Sequence, residues 1–267
     1  MELIWFEFRG QPACYRRSGS GPLVLLVHGF AEDGDIWEAQ RAFLEKDFRL
    51  LVPDLPGSGR SPLNPGMEAI SDFADFLLAL LGNEKADSCT LIGHSMGGYI
   101  SLAFAGKYPA RLQALGLFHS TAFADTPEKK ATRQKSIAFI AKNGASAFIR
   151  QSTPQLFSEW TRKQNPGLIT QLIDRYDNFQ APSLVFYYEI MISRPETLGV
   201  LASFRGPVLF IIGEKDQAVT LEHSLRQCHI PGLSYIHILE NAGHMGMLEA
   251  RDQVNAWLLE FLKNVTI

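Results

Sequence analysis

The chain has 267 residues, of which 46% are hydrophobic and 20% charged, a balance that excludes disordered, collagenous and coiled-coil classes. Its 25 basic and 28 acidic residues give a formal charge of −3, without the basic excess that nucleic acid calls for, and its three scattered cysteines (Cys14, Cys89, Cys228) make no disulfide framework. The Met1–Phe8 segment carries an acid where a secretory leader carries base, and no apolar stretch reaches the roughly 18 residues of a membrane span, so a cytoplasmic chain is expected.

Taken in order, Leu3–Phe8 and Pro12–Arg17 read as two short strands joined in a hairpin at Arg9-Gly10, and Ser18-Gly-Ser-Gly21 then breaks the chain. Apolar runs of buried-strand type follow at Leu23–Val27, Leu50–Pro53, Cys89–Ile92, Leu112–Phe118, Val208–Ile212 and Ile236–Leu239. Helical periods lie between them. Ile70, Phe73, Phe76, Leu77, Leu80 and Leu81 recur at steps of three and four, as do Val254, Trp257, Leu258, Phe261 and Leu262. This alternation predicts an α/β fold with a doubly wound, mostly parallel sheet of about eight strands.

Residues 120–196 break the rhythm. Apart from Leu184–Tyr188, which fits strand or helix, the pattern there is helical, and ten Lys/Arg against seven Asp/Glu give it a net +3 while the rest carries −6. We therefore expect a core of residues 1–119 and 197–267 with a helical cap inserted at 120–196. The charge of such a segment is ordinarily a solvated surface. Its arginines, among them Arg133, Arg150, Arg162 and Arg175, are also candidate partners for a substrate carboxylate.

The chemistry concentrates at Ile92-Gly93-His94-Ser95-Met96-Gly97-Gly98. Gly-x-Ser-x-Gly arises readily by chance, but here it follows a strand and opens an apolar helix (Met96–Ala105), the setting of a serine on a sharp turn. Such a turn leaves no room for a Cβ at 93 or 97, and the helix N-terminus offers unpaired N–H groups to an oxyanion. A serine nucleophile needs a base, and the base an orienting acid. His244, in a glycine-bearing loop after Ile236–Leu239, is the candidate base, and Asp216, after Val208–Ile212, the candidate acid, with Glu214 a nearby competitor. All three follow the C-terminal ends of strands, where open parallel sheets hold ligands. His28-Gly29-Phe30 ends another buried strand; the N–H of Phe30, with that of Met96, would form a two-donor oxyanion hole.

Together His28-Gly29-Phe30, Asp54–Ser61, Gly93-His-Ser-Met-Gly97, Asp216 and Gly243-His244 resemble, in this order, the α/β-hydrolase fold family, over roughly residues 20–118 and 205–265. The resemblance implies Ser95 as nucleophile, His244 as base, Asp216 as acid, and Phe30 and Met96 as the oxyanion donors, in the branch of serine esterases, C–C bond hydrolases and non-haem haloperoxidases. It implies no cofactor and a small-molecule ester or acyl substrate. A carboxylesterase on small or medium apolar esters is the leading expectation; the alternatives are C–C hydrolysis of a vinylogous diketone, perhydrolysis, or a ligand receptor on the same fold. The absence of an aspartate at position 95 argues against epoxide hydrolases and haloalkane dehalogenases. By the same resemblance His28 shapes its loop and His94 flanks the nucleophile, while Asp54–Ser61 is a structural loop near the site.

Trp37, His119, Phe139, Tyr187 and Met191 are the candidate pocket residues, with the core an equal destination for Trp37. His223, Cys228 and His229 lack zinc-ligand spacing, and Gly57-Ser-Gly59 lacks the third glycine of a dinucleotide fingerprint, so neither a metal nor a nucleotide site is expected. The sequence leaves the oligomeric state open.

Overall fold

The fold is described from a computed structural model covering residues 1–265. The chain begins with β1 (Glu2–Phe8) and β2 (Gln11–Ser18), joined by Arg9 and Gly10, both at positive φ (49° and 74°) as a two-residue hairpin turn requires. β3 (Leu23–Val27), β4 (Arg49–Pro53), β5 (Cys89–His94), β6 (Leu112–Phe118), β7 (Val208–Gly213) and β8 (Ser234–Leu239) complete one eight-stranded sheet of order β1-β2-β4-β3-β5-β6-β7-β8. β1, β2 and β4 pair antiparallel; from β4 through β3 to β8 every pairing is parallel. The sequence explains the ranking of strands. β5 and β7 are buried along their whole length, β7 with apolar residues up to its closing glycine and β5 with Thr90 and His94 among its apolar ones, whereas the edge strand β1 alternates and leaves Leu3 and Trp5 exposed.

Helices flank the sheet in two packed groups: α1 (Glu38–Leu44) with the C-terminal helix, and α2 (Ile70–Asn83) with α3 (Met96–Lys107). Between β6 and β7 the chain forms α4 (Pro127–Ser152), α5 (Glu159–Gln164), α6 (Pro166–Tyr176), α7 (Ala181–Ser193) and α8 (Leu198–Ser203). α9 (Leu221–Gln227) and α10 (Gly246–Glu249) precede the final helix, α11 (Arg251–Val265). The ambiguous Leu184–Tyr188 is helical: it lies inside α7, where it packs along α4 instead of joining the sheet. α4 itself is interrupted at Gly144 (φ 85°, ψ 167°).

The connections after the parallel strands gather at one sheet edge. Phe30 follows β3, Asp54 follows β4, Ser95 follows β5, His119 follows β6, Asp216 follows β7 and His244 follows β8. No helix among the described residues is long and apolar enough to cross a membrane.

Candidate active site

Ser95 stands between β5 and α3 with φ 50° and ψ −115°, a strained conformation of the kind that costs about 1–3 kcal/mol and persists only where its surroundings enforce it. Here they do. A Cβ on Gly97 would lie 2.4 Å from the carbonyl oxygen of Val27, and one on Gly93 would lie 2.3 Å from that of Gly97, so β3, β5 and α3 meet backbone to backbone. The Ser95 N–H donates to the Phe118 carbonyl (2.9 Å), and the Ser120 hydroxyl donates to the Ser95 carbonyl (2.7 Å).

The side chain of Ser95 reaches His244: Oγ lies 2.9 Å from Nε2, and His244 Nδ1 lies 2.7 Å from Asp216 Oδ2. With Nδ1 donating to the carboxylate, Nε2 is left as acceptor for the serine proton. Asp216 is fixed in turn, its Oδ1 accepting from the N–H groups of Ala218 (2.7 Å) and Val219 (2.9 Å). Burial alone would raise its pKa, but the facing His244 and His119 outweigh it and hold the carboxyl far below the usual carboxylate range. Glu214, the competing acid, is outside this network; it pairs with Lys215 and accepts from the Asn241 N–H.

Two further histidines brace the site. His94 faces acceptors on both ring nitrogens: Nδ1 lies 2.9 Å from Glu32 Oε2 and Nε2 lies 3.0 Å from the His244 carbonyl. Both contacts are satisfied only by the imidazolium. Burial pushes His94 down, but the Glu32 carboxylate prevails and raises it, while Glu32 is held low against its own burial by His94. Glu32 Oε2 also accepts the Gly29 N–H (2.6 Å), so one buried ion pair links the loop after β3 to the loop bearing His244. His28 points away, donating from Nδ1 to the Gly29 carbonyl (2.8 Å) and accepting the Leu55 N–H on Nε2 (3.0 Å); burial keeps it neutral.

A cavity of about 150 Å³ opens beside Ser95 and His244, walled by Phe30, Tyr188, Leu156 and Met191 with Lys129 and Arg133. An adjoining apolar recess of about 90 Å³ lies against Phe30, Phe148, Leu172 and Met245. Phe30 and Ser95 thus border one space, and Met96 opens α3, where an N–H has no intrahelical partner.

The other pocket candidates distribute unevenly. Met191 lines the serine cavity. Trp37 does not: it is fully buried, its ring set edge-on to Phe118 at 5.4 Å. Tyr187 is also buried, its hydroxyl donating to the Pro56 carbonyl (2.8 Å) and meeting Ser58 Oγ (2.7 Å), and its neighbour Tyr188 faces the cavity instead. Phe139 lines a separate outer cavity that shares Phe148, Ser152, Leu156 and Ala218 with the two inner spaces. His119 sits behind Asp216, with Nδ1 3.2 Å from Oδ2, and burial pushes its pKa down to about 4. Glu32, Leu156 and Glu249 carry no motif that marks them in the sequence. Glu249 accepts the N–H groups of Gly243 (2.8 Å) and Met245 (3.2 Å) on one oxygen, and the Ser158 N–H (3.0 Å) and Thr161 hydroxyl (2.7 Å) on the other.

His119, Asp216 and His244 are the one group among the described residues with metal-ligating atoms mutually close, and their hydrogen bonds to one another and to Ser95 account for that closeness. His223, Cys228 and His229 form no such group.

Comparison with known proteins gives the family of the fold. The chain is 30% identical, over 98% of its length, to the dihydrolipoyllysine-residue acetyltransferase component of the acetoin cleaving system of Pseudomonas putida, of which it spans 66%. It is 28% identical to Lipase 1 of Psychrobacter immobilis over 91% of the chain and 78% of that protein. The malate-bound thermophilic esterase of Thermogutta terrifontis superposes with a TM-score of 0.92 at 28% identity, covering 100% of both chains. The profile of the alpha/beta hydrolase family matches residues 24–257, and the chain belongs to that family.

Proposed function

We propose that this protein is a cofactor-free serine esterase acting on small-molecule esters, with residues 120–196 as the cap over its nucleophile. The reading rests on one observation: Ser95 Oγ, His244 and Asp216 form a continuous hydrogen-bonded chain (2.9 and 2.7 Å) that ends at a cavity. In this mechanism Ser95 attacks the ester carbonyl as His244 Nε2 takes its proton. The oxyanion settles on the N–H groups of Phe30 and Met96, each such donor supplying about 3–4 kcal/mol of transition-state stabilisation. His244 returns the proton to the departing alcohol. Water, deprotonated by the same imidazole, then cleaves the acyl-enzyme, releasing the acid and restoring the serine.

Similarity to proteins named esterase and lipase supports the ester as substrate. The cavity volumes of about 150 and 90 Å³ support short acyl and alcohol groups. The test is a series of p-nitrophenyl esters of rising acyl length. Turnover should be highest for the shortest acids and fall at least ~10³-fold in Ser95→Ala, since loss of the nucleophile leaves only binding and oxyanion contributions. Near wild-type rates in that variant would place the nucleophile elsewhere.

A further inference from the structure

The cavity beside Ser95 carries an unbalanced positive charge on one wall. α4 presents Lys129 and Arg133 four residues apart, hence on one helical face, and both line the cavity. Arg133 donates from Nε to Asp125 Oδ2 (2.5 Å) and from Nη2 to Oδ1 (3.5 Å), while its Nη1 has no hydrogen-bond partner among the described residues. Lys129 Nζ donates to the main-chain carbonyl of Ala218 (2.7 Å), a neutral partner that leaves the ammonium charge unanswered and two of its protons free. Asp125 is also claimed by Arg194, whose Nη2 donates to Oδ1 at 2.9 Å and whose guanidinium stacks on Tyr99 at 3.8 Å. Two arginines therefore share one carboxylate, and Lys129 has none.

Of the other charged groups that line the cavity, Glu32 faces the His94 imidazolium, while Asp216 stands behind His244 and does not line it. The field is felt at Tyr99, in the same wall: burial raises its phenol, but Arg194, Lys129 and Arg133 together bring it below its ordinary value. Arg133 is largely withdrawn from solvent, its side chain 12% exposed, and a cation so placed calls for an anion. The side chains supply only one.

We infer that the substrate supplies the second: the ester cleaved at Ser95 bears a free carboxylate, received by Nη1 of Arg133 and Nζ of Lys129. This specificity rests on the esterase reading above and adds the substrate class to it. A planar carboxylate fits an open guanidinium edge and an ammonium, and it is compact enough for a cavity of about 150 Å³ that also admits the ester.

Matched ester pairs test it in a pH-stat. Methyl hydrogen succinate against dimethyl succinate places the charge on the acyl side; acetoxyacetate against its methyl ester places it on the alcohol side. In at least one pair the charged ester should show a kcat/KM about ten- to a hundredfold above its neutral partner, the worth of a charge-assisted contact. That ratio should collapse about tenfold or more in Arg133→Gln, with Arg133→Lys recovering part of it. Lys129→Met serves where Arg133→Gln fails to fold, since Lys129 makes no ion pair among the described residues. Neutral esters preferred in both pairs would overturn the inference while leaving the esterase intact. A ratio unchanged in Arg133→Gln and Lys129→Met would equally overturn it by placing the anion elsewhere. No turnover of any of the four esters, with Ser95 inert to a fluorophosphonate, would instead remove the esterase reading itself.

Discussion

Nε2 of His94 lies 3.0 Å from the main-chain carbonyl of His244, so the residue before the proposed nucleophile holds the backbone of the proposed base. Its other nitrogen binds Glu32, which holds the loop of Gly29 and Phe30. The two halves of the proposed chemistry, proton transfer and oxyanion binding, are thus referenced to one buried imidazolium.

Replacing His94 by Asn should lower kcat about 10²-fold, the scale of a misplacement near 1 Å, with a smaller change in KM. It should also cost about 3–5 kcal/mol of stability, because Glu32 is left buried without its partner. In Glu32→Gln/His94→Asn the stability should largely return and the low kcat remain. Urea unfolding and steady-state kinetics separate the two effects; wild-type kcat in the double variant would show that the bridge to His244 carries no catalytic weight.

The same pair fixes a pH window. A group whose folded pKa is raised, as for His94, stabilises fully below its unfolded value of about 6.5 and loses that contribution as pH rises through the folded value. A group whose folded pKa is lowered, as for Glu32, stabilises above its unfolded value of about 4.3 and loses it as pH falls through the folded one. Both contributions are complete between about pH 4.5 and 6.5. The unfolding free energy of wild type relative to Glu32→Gln/His94→Asn should therefore be most favourable near pH ~5.5 and decline in alkali. A difference that grows with alkali would mean that His94 is neutral.

Asp216→Asn should reduce kcat about 10³- to 10⁴-fold with the fold intact. The amide can donate to His244 Nδ1, which moves the imidazole proton to Nε2 and leaves Ser95 with no acceptor. Burst kinetics with a p-nitrophenyl ester report the loss directly, as a slowed acylation phase.

Glu249 joins the His244 loop to Ser158 and Thr161, so Glu249→Gln should act on both. An amide accepts through one oxygen only, and its NH₂ would confront two donors. We expect a stability loss of about 2–3 kcal/mol, the cost of unmatched partly buried donors. Protease sensitivity should rise at residues 153–165, visible as a new cleavage site by mass spectrometry.

Much of this arrangement is legible in the sequence, for physical reasons. Central parallel strands are buried on both faces, so Leu23–Val27 and Val208–Ile212 announce themselves as uninterrupted apolar runs, and the residues that follow them collect at one edge. Ser95 and Asp216 each follow such a run, whereas His244 follows β8, an edge strand that leaves Ile236 and Ile238 exposed where the apolar run predicts a buried strand. The cavity wall is less legible. Period cannot assign a segment apolar on most sides, and Leu184–Tyr188 is one. Read as helix, it turns Tyr188 and Met191 to one face and Tyr187 roughly 100° aside, toward the loop of Pro56 and Ser58. Trp37 stays open between cleft and core for a related reason: an aromatic after a loop looks the same in sequence whether it faces a cleft or Phe118. Glu32 gave only proximity, an acid three residues beyond Gly29 in a turn, and its meaning depends on His94 arriving from β5.

The break at Gly144 divides α4 into a stretch that bears Lys129 and Arg133 and a stretch that bears Phe148. Charge and shape are thereby put on separate lengths of chain, meeting at a joint where nothing lies within 4 Å of an added Cβ. Drift on the far side of the joint can enlarge or shrink the recess against Phe148 and leave the cationic wall in register with Ser95. A lineage built on this scaffold is free to change the bulk of the compound it accepts while keeping one sign of charge.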